Sequence, residues 1–337
     1  MLRFLVFRIL GAIPILILLS IVTFLIIQAP PGDYGDYIRT MAINRTGATA
    51  EQAQAMAEAY RQANGLNDPL IVQYFRWVYG IVTRFDFGQS LYYNKPVGDV
   101  VAERLPRTIL LALTCHLLAS AIGIGLGIVA ATRQYSWVDT VLGFISFMGM
   151  TIPRFLLAII ILYILVFRLG VNEIGSFNSA YWGGQPWGWG RFVDLVAHVW
   201  PVVFVATVGG LAYNMRVMRG NLLDVLNSQY VETARAKGLP EGAVIMRHAV
   251  PNALHPILAY QGVALPYMLT GEIEVAIVFG LATVGPAIVG SMGVGDVWVT
   301  ATFVMVLAVT LIIGNIISDI LLALLDPRIR LGGGQNN

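Results

Sequence analysis

Apolar runs of membrane-crossing length alternate with polar stretches along most of the chain. A bilayer core is crossed by about 20 apolar residues in helical form. On that measure residues 7–28 form a first span, 105–131 a second, 137–167 a third, 195–218 a fourth, 255–279 a fifth and 298–325 a sixth. The third run exceeds the requirement, so it either projects beyond the bilayer or breaks near Pro153. Pro256 and Pro266 predict kinks in the fifth, because each removes a backbone donor. The run 7–28 is too long for a cleaved leader, and no small-x-small site precedes Pro30 and Pro31; this helix is read as retained. The Gly-rich stretch 280–297 is compatible with broken helix re-entering the membrane.

The polar stretches differ in kind. Residues 30–105 are mixed and polar, with a helix-like stretch at 50–63. Residues 170–194 are rich in Gly, Trp and Tyr, which suits a loop at the membrane interface. Residues 228–251 are charged and helix-patterned. Ser228 is the expected N-cap, and Glu232 lies in the first turn, where the positive end of the helix dipole favours an anion. Arg235 and Lys237 fall in the last turn, Gly238 supplies a left-handed position after it, and Pro240 blocks continuation. By their spacing Val231, Ala234, Arg235 and Gly238 share one face. Ala234 and Gly238 make that face shallow, so another protein's surface is expected to approach the backbone there. A second short helix is predicted over 241–249, ending ahead of Pro251.

Composition agrees with this pattern. The 337 residues are 57% hydrophobic and 12% charged, with mean hydropathy +0.72; soluble domains carry about 25% charge. The chain is therefore read as all-α and polytopic. A net charge of +2 is too small to point to nucleic acid. The single Cys115 excludes an intrachain disulfide or a Cys-based metal cluster, and its apolar segment makes it packing filler. Neither lysine, Lys95 or Lys237, sits in Gly-Lys-Ser/Thr, so the chain has no Walker A phosphate loop. Arg3, Arg8, Arg133, Arg216, Arg219, Arg235, Lys237, Arg247, Arg328 and Arg330 fall on one side of the spans. That side is expected to be cytoplasmic, with both termini inside and residues 30–105 outside.

Other chemistry is thin. His116, His198, His248 and His255 show no metal-ligand spacing and are read as satisfied or packing residues. Gly88-Gln89-Ser90 imitates a protease motif, but its serine is not on a membrane helix. Gly123-x-Gly125-x-Gly127 and Gly209-Gly210 are read as close helix packing. Arg154, Glu272, Glu274 and Asp319 lie in or beside spans, where ionisable groups are costly and face protein or water. Arg154, Glu272 and Glu274 are the pathway candidates, with Glu272 as a possible resting partner of Arg154; the alternative is structural pairing or snorkelling. Spaced by two, Glu272 and Glu274 face different ways on a helix.

The 228–251 loop resembles the EAA loop of permease subunits of binding-protein-dependent ABC importers. That pattern reads Glu-Ala-Ala, three residues, Gly, nine residues, Ile-x-Leu-Pro. Glu232, Ala234, Gly238 and Pro251 match, while Thr233, His248 and Val250 depart from it. Further pieces follow in order: Gly65-Leu66-Asn67-Asp68-Pro69-Leu70, Gln73-Tyr74, Trp77, Asp86-Phe87-Gly88, Ser90, Pro96-Val97, Arg104-Leu105-Pro106-x-Thr108 and Asp326-Pro327-Arg328-x-Arg330. Together they are similar to the dipeptide/oligopeptide branch. The branch's Phe-x-x-Pro-Gly-x-Gly stretch here reads Phe279-Gly280-Leu281-Ala282-Thr283-Val284-Gly285. That departure leaves nickel, opines and oligosaccharides open beside peptides.

The resemblance implies a type I importer permease (MetI-like) core of six transmembrane helices in a bacterial inner membrane. Its parts would be an N-terminal helix at 1–29, an extracytoplasmic segment at 30–105, a core at 106–326 with the EAA loop at 219–251, and a tail at 327–337. It implies a second homologous permease, two ATP-binding subunits and an extracytoplasmic substrate-binding protein as partners, in membrane lipid. No cofactor would be held by this chain; ATP would be used by the partner subunits. Val231, Glu232, Thr233, Ala234, Arg235, Lys237, Gly238, Leu239 and Pro240 would couple to the ATPases. An ion-coupled secondary transporter is the alternative, but it needs no docking loop and typically shows internal repeats, of which none is convincing here.

Overall fold

The computed structural model describes residues 2–29, 32–171, 174–179, 185–264 and 272–325, nearly all of them in helices or the turns between them. They form two compact units. One joins Leu2–Glu103 to Ala287–Val309, and the other holds Arg104–Pro286 and the chain from Thr310 onward.

The first unit begins with α1 (Leu2–Gln28), α2 (Tyr34–Thr46), α3 (Ala50–Asn64) and α4 (Leu70–Arg84). Of the polar segment only α3 was expected; α2 and α4 are additional. Local capping explains α2 and α3. Asp33 and Asp36 exchange side-chain and backbone bonds at 3.0 and 3.1 Å at the start of α2. Thr49 and Gln52 do the same at α3. These capping boxes satisfy amides that a helix start leaves open. Arg61 forks onto Asp33 at 2.8 and 3.0 Å and reaches Asp36 at 2.9 Å, tying α3 to α2. Stacked Tyr34 and Tyr60 rings, 4.9 Å apart, fill the space beside it. The core of this unit gathers Phe24 and Ile27 of α1, Trp77 of α4, and Ala301 and Met305.

The remaining helices are α5 (Val97–Thr132), α6 (Trp137–Thr151), α7 (Arg154–Tyr163), α8 (Trp189–Leu226), α9 (Gln229–Ala236), α10 (Glu241–Ala243), α11 (Val250–Ala264), α12 (Ile273–Phe279), α13 (Val284–Gly293) and α14 (Val297–Leu325). Among the described residues four helices, α1, α5, α8 and α14, are long and apolar enough to cross a membrane; counting two bent pairs as spans makes six. The chain is an all-α, polytopic membrane protein.

The pair α6–α7 bends by 99° at the break expected near Pro153. The fifth span differs from the expected one: α11 covers Val250–Ala264, residues 265–271 lie outside the described residues, and a new helix, α12, starts at Ile273 with Glu272 at its N-cap. Pro256 lies inside α11, whereas Pro266 is outside the described residues. Instead α12 and α13 form a pair bent by 68°. Gly280, at φ +68°, turns the chain out of α12 in a conformation only glycine adopts cheaply.

Within the second unit, Leu111 and Cys115 of α5, Ala158 of α7, Val205 of α8 and Phe279 of α12 share one apolar core. Cys115 is packing filler there, as expected. A Cβ on Gly123 would come 2.6 Å from the Leu211 carbonyl oxygen, and one on Gly127 would come 2.6 Å from Met218 Cβ, so both glycines allow α5 to lie against α8. Gly125 faces open space and has no such role. Arg219 of α8 holds Asp139 of α6 in a fork of 2.6 and 2.8 Å.

Candidate functional site

Two places concentrate the chemistry, the 228–251 loop and a cavity among α5, α6, α7, α8, α11 and α12. In the loop, α9 spans Gln229–Ala236 with Ser228 at its N-cap and Glu232 in its first turn. The Ser228 hydroxyl does not cap the helix; it donates to the Val225 carbonyl at 2.6 Å. Lys237 is the C-cap rather than a last-turn residue. Gly238 takes the expected left-handed conformation at φ +76°.

The face assigned to another protein is corrected. Val231 is fully buried and Ala234 is 6% exposed, packed in the chain's own core with Met218, Leu222 and Val244. An apolar pair three residues apart buries against the nearest apolar surface, and α8 and the following helix supply it. The outward face of the loop carries Tyr230, Glu232, Thr233, Arg235, Lys237, Gly238, Leu239 and Pro240 instead.

Arg235 forks onto Glu241, with Nη2 to Oε1 at 2.8 Å and Nε to Oε2 at 3.1 Å, and reaches the Leu226 carbonyl at 3.2 Å. This clasp closes the turn that Gly238 and Pro240 make. The guanidinium beside Glu241 holds its carboxyl below the usual carboxylate range. The helix expected to end ahead of Pro251 does not end there. A π-helical turn at Val244–Ala249 runs directly into α11, whose second residue is Pro251. The wider ladder just ahead of the ring and the tolerance of a first turn for a missing N–H accommodate the proline.

The cavity measures about 840 Å³, within the roughly 300–1,000 Å³ of drug-sized ligand sites. Arg154, the first residue of α7, and Glu274 of α12 both line it. Glu272 does not. It is 2% exposed, and among the described residues neither of its carboxylate oxygens has a hydrogen-bond partner. It is therefore not the resting partner of Arg154. The expected divergence of Glu272 and Glu274 holds, one buried and the other exposed.

Other lining residues were not singled out from the sequence. Tyr213 and Tyr260 place their rings 4.8 Å apart. A chain of amides crosses from α8 to α5: Gln261 donates to Asn214 at 2.7 Å, and Ser120 donates to Gln261 at 3.0 Å. Polar amides inside apolar spans are themselves a signal, since they seek partners there. Of the glycine pair, Gly210 meets Ala119, whereas Gly209 lies beneath the guanidinium of Arg154. His198 is satisfied, its Nδ1 lying 2.7 Å from the Asp194 carbonyl oxygen.

Long apolar helices, two bent pairs and a cavity of about 840 Å³ lined by opposite charges define a multi-pass membrane transport subunit. Residues 123–331 match the family described as binding-protein-dependent transport system inner membrane component, and residues 1–112 match the N-terminal region of such membrane components. The chain belongs to this family of permeases. It is 34% identical over 333 residues to the oligopeptide transport system permease protein AppB of Bacillus subtilis (strain 168), covering 98% of this chain and 99% of that one. A Brucella abortus (strain 2308) protein provisionally named a peptide transport system permease is 32% identical over 323 residues, 96% of this chain and 97% of its own. A Sinorhizobium fredii (strain NBRC 101917 / NGR234) protein, provisionally named a peptide ABC transporter permease, is 30% identical over the same number of residues, 323.

Proposed function

We propose that this chain lines, together with a second homologous permease, a path for short peptides across the inner membrane. Two separate ATP-binding subunits drive it through the 228–251 loop, and a substrate-binding protein delivers solute from outside. The chain itself hydrolyses no ATP and holds no cofactor. Residues 30–105 are extracytoplasmic, the core is 106–326, and the loop, both termini and the 327–337 tail are cytoplasmic.

The outward face of α9 and of the turn after it is the observation that carries the coupling. Tyr230 is 46% and Leu239 is 40% exposed, with Glu232 and Lys237 beside them. Large apolar groups ringed by charge, on a helix anchored from below by Val231 and Ala234, suit a docking surface. Energy enters as a difference in how two ATPase states bind that face, and the spans shift between inward- and outward-open arrangements. The names of the relatives support peptides as the solute.

The test is uptake of labelled trialanine by cells producing the four subunits and the binding protein. Uptake should require ATPase subunits able to hydrolyse ATP, and Glu232→Lys should abolish it with the permease still inserted. ATP-independent uptake, or normal uptake by the variant, would remove this reading.

A further inference from the structure

Arg154 and Glu274 bring opposite charges to one cavity. Among the described residues Glu274 makes no ion pair, and its side chain is exposed to the cavity. Ionisable groups within membrane helices are costly and mark solute paths or charge partners. Here the two charges face a common space without closing on each other.

The guanidinium is held by a backbone feature. A Cβ on Gly209 would lie 3.0 Å from Nε and 3.4 Å from Nη2 of Arg154, so the planar group rests on the bare backbone of α8. Gly210, next in sequence, does the packing against α5 through Ala119. The pair thus divides into one helix-contact glycine and one that makes room for a cation. A guanidinium offers five donors in a flat fork, a geometry that matches a carboxylate. Its position is also costly: a cation at the first residue of α7 opposes the helix dipole. Tyr213 and Tyr260 supply an apolar wall in the same cavity.

The geometry points to a site for the two ends of a short zwitterionic peptide: Arg154 takes the terminal carboxylate, Glu274 the terminal ammonium, and Gly209 positions the guanidinium. This rests on the peptide-path reading above. A single anion would use only Arg154; a zwitterion uses both charges and leaves the net charge of the cavity unchanged as it passes.

The experiment compares three probes, trialanine, its N-acetyl form and its C-terminal amide, in uptake by the complete importer. Each variant is expressed as a ratio to wild type for the same probe, which cancels the preferences of the binding protein. Arg154→Gln should lower the ratio about fivefold for trialanine and the N-acetyl form, and leave the amide near one. Glu274→Gln should lower trialanine and the amide, and spare the N-acetyl form. Gly209→Ala should reproduce the Arg154→Gln pattern, and adding Arg154→Lys, whose slender ammonium avoids the new methyl, should restore part of the loss. Ratios that fall equally for all probes, or stay at one, overturn the zwitterion site while wild-type uptake keeps the peptide path. Absence of trialanine uptake by wild type overturns both.

Discussion

Ser90 donates its hydroxyl proton to Asp296 across 206 positions of sequence, at 2.7 Å and fully out of solvent. The same carboxylate oxygen receives the Tyr92 amide at 3.0 Å, and the other caps the last helix by accepting from Val299 at 3.3 Å. Ser90 in turn accepts from the Tyr93 amide at 2.9 Å. The proton and one lone pair of the serine in Gly88-Gln89-Ser90 are thus engaged in holding a turn to a helix start, out of solvent.

Ser90→Ala removes one donor from a buried carboxylate, which costs about 1.5–3 kcal/mol for a bond to a charged group. Asp296→Asn should cost a similar amount, because its amide cannot accept all three donors. The double variant should cost less than the sum, since the two side chains share one bond. Thermal unfolding in detergent measures all three; additive losses would show that the contact contributes nothing specific.

The α2–α3 pair should be acid-sensitive through Asp33. Its carboxyl is held below the usual range chiefly by the hydrogen bond from Arg61. A group whose folded pKa is depressed contributes stability above its unfolded value, about 3.9, and that contribution is lost as pH falls through the folded pKa. Hydrogen-exchange protection over residues 34–64, taken relative to the intrinsic rate at each pH, should therefore be high at neutral pH and fall below about pH 4. Arg61→Gln should raise exchange at neutral pH and flatten the acid dependence. A variant with the wild-type profile would show that the ion pair is not what holds the two helices.

Conformational requirements were legible in the sequence; the choice of partner surface was not. Gly238 and the break at Pro153 were readable because each is a backbone property of its own residue type. Val231 and Ala234 were readable as an apolar stripe, but a stripe does not say whether its cover is another protein or the neighbouring helix. Glu272 and Glu274 were known to diverge, and only the fold shows which one faces the cavity. The helix α2 has no continuous apolar stripe, so periodicity missed it; its capping box was the available signal. Pro251 was misread as a stop because proline ends a regular ladder, whereas here a π-turn precedes it.

The corrected loop geometry separates anchoring from docking. Val231→Ala empties space in a packed core and should lower stability by about 1–3 kcal/mol. Leu239→Ala and Tyr230→Ala should leave stability within about 0.5 kcal/mol and weaken co-purification of the ATPase subunits. Gly238 has open space around it, so Gly238→Val pays only for left-handed backbone, on the order of 1–3 kcal/mol. Gly238→Asn should cost less, because asparagine tolerates that conformation. Intact ATPase association in both exposed-residue variants would move the docking surface off this face.

Glu272 supplies the sharpest stability test. Its side chain is among the largest fully buried ones, and neither oxygen is hydrogen-bonded among the described residues. A buried carboxyl without donors costs more than an apolar group of similar shape, which fills the same volume without a desolvation penalty. Glu272→Met should therefore raise thermal stability, by about 1–3 kcal/mol. Glu272→Gln keeps the shape and an acceptor but still buries an unsatisfied amide, so it should gain less than Glu272→Met. Because Glu272 does not line the cavity, uptake by Glu272→Met should stay near wild type although the protein is more stable. Unfolding temperature and peptide uptake, measured on the same preparations, decide the matter. A destabilised Glu272→Met would mean that the carboxyl finds partners in the membrane-embedded protein, and that its burial is structural.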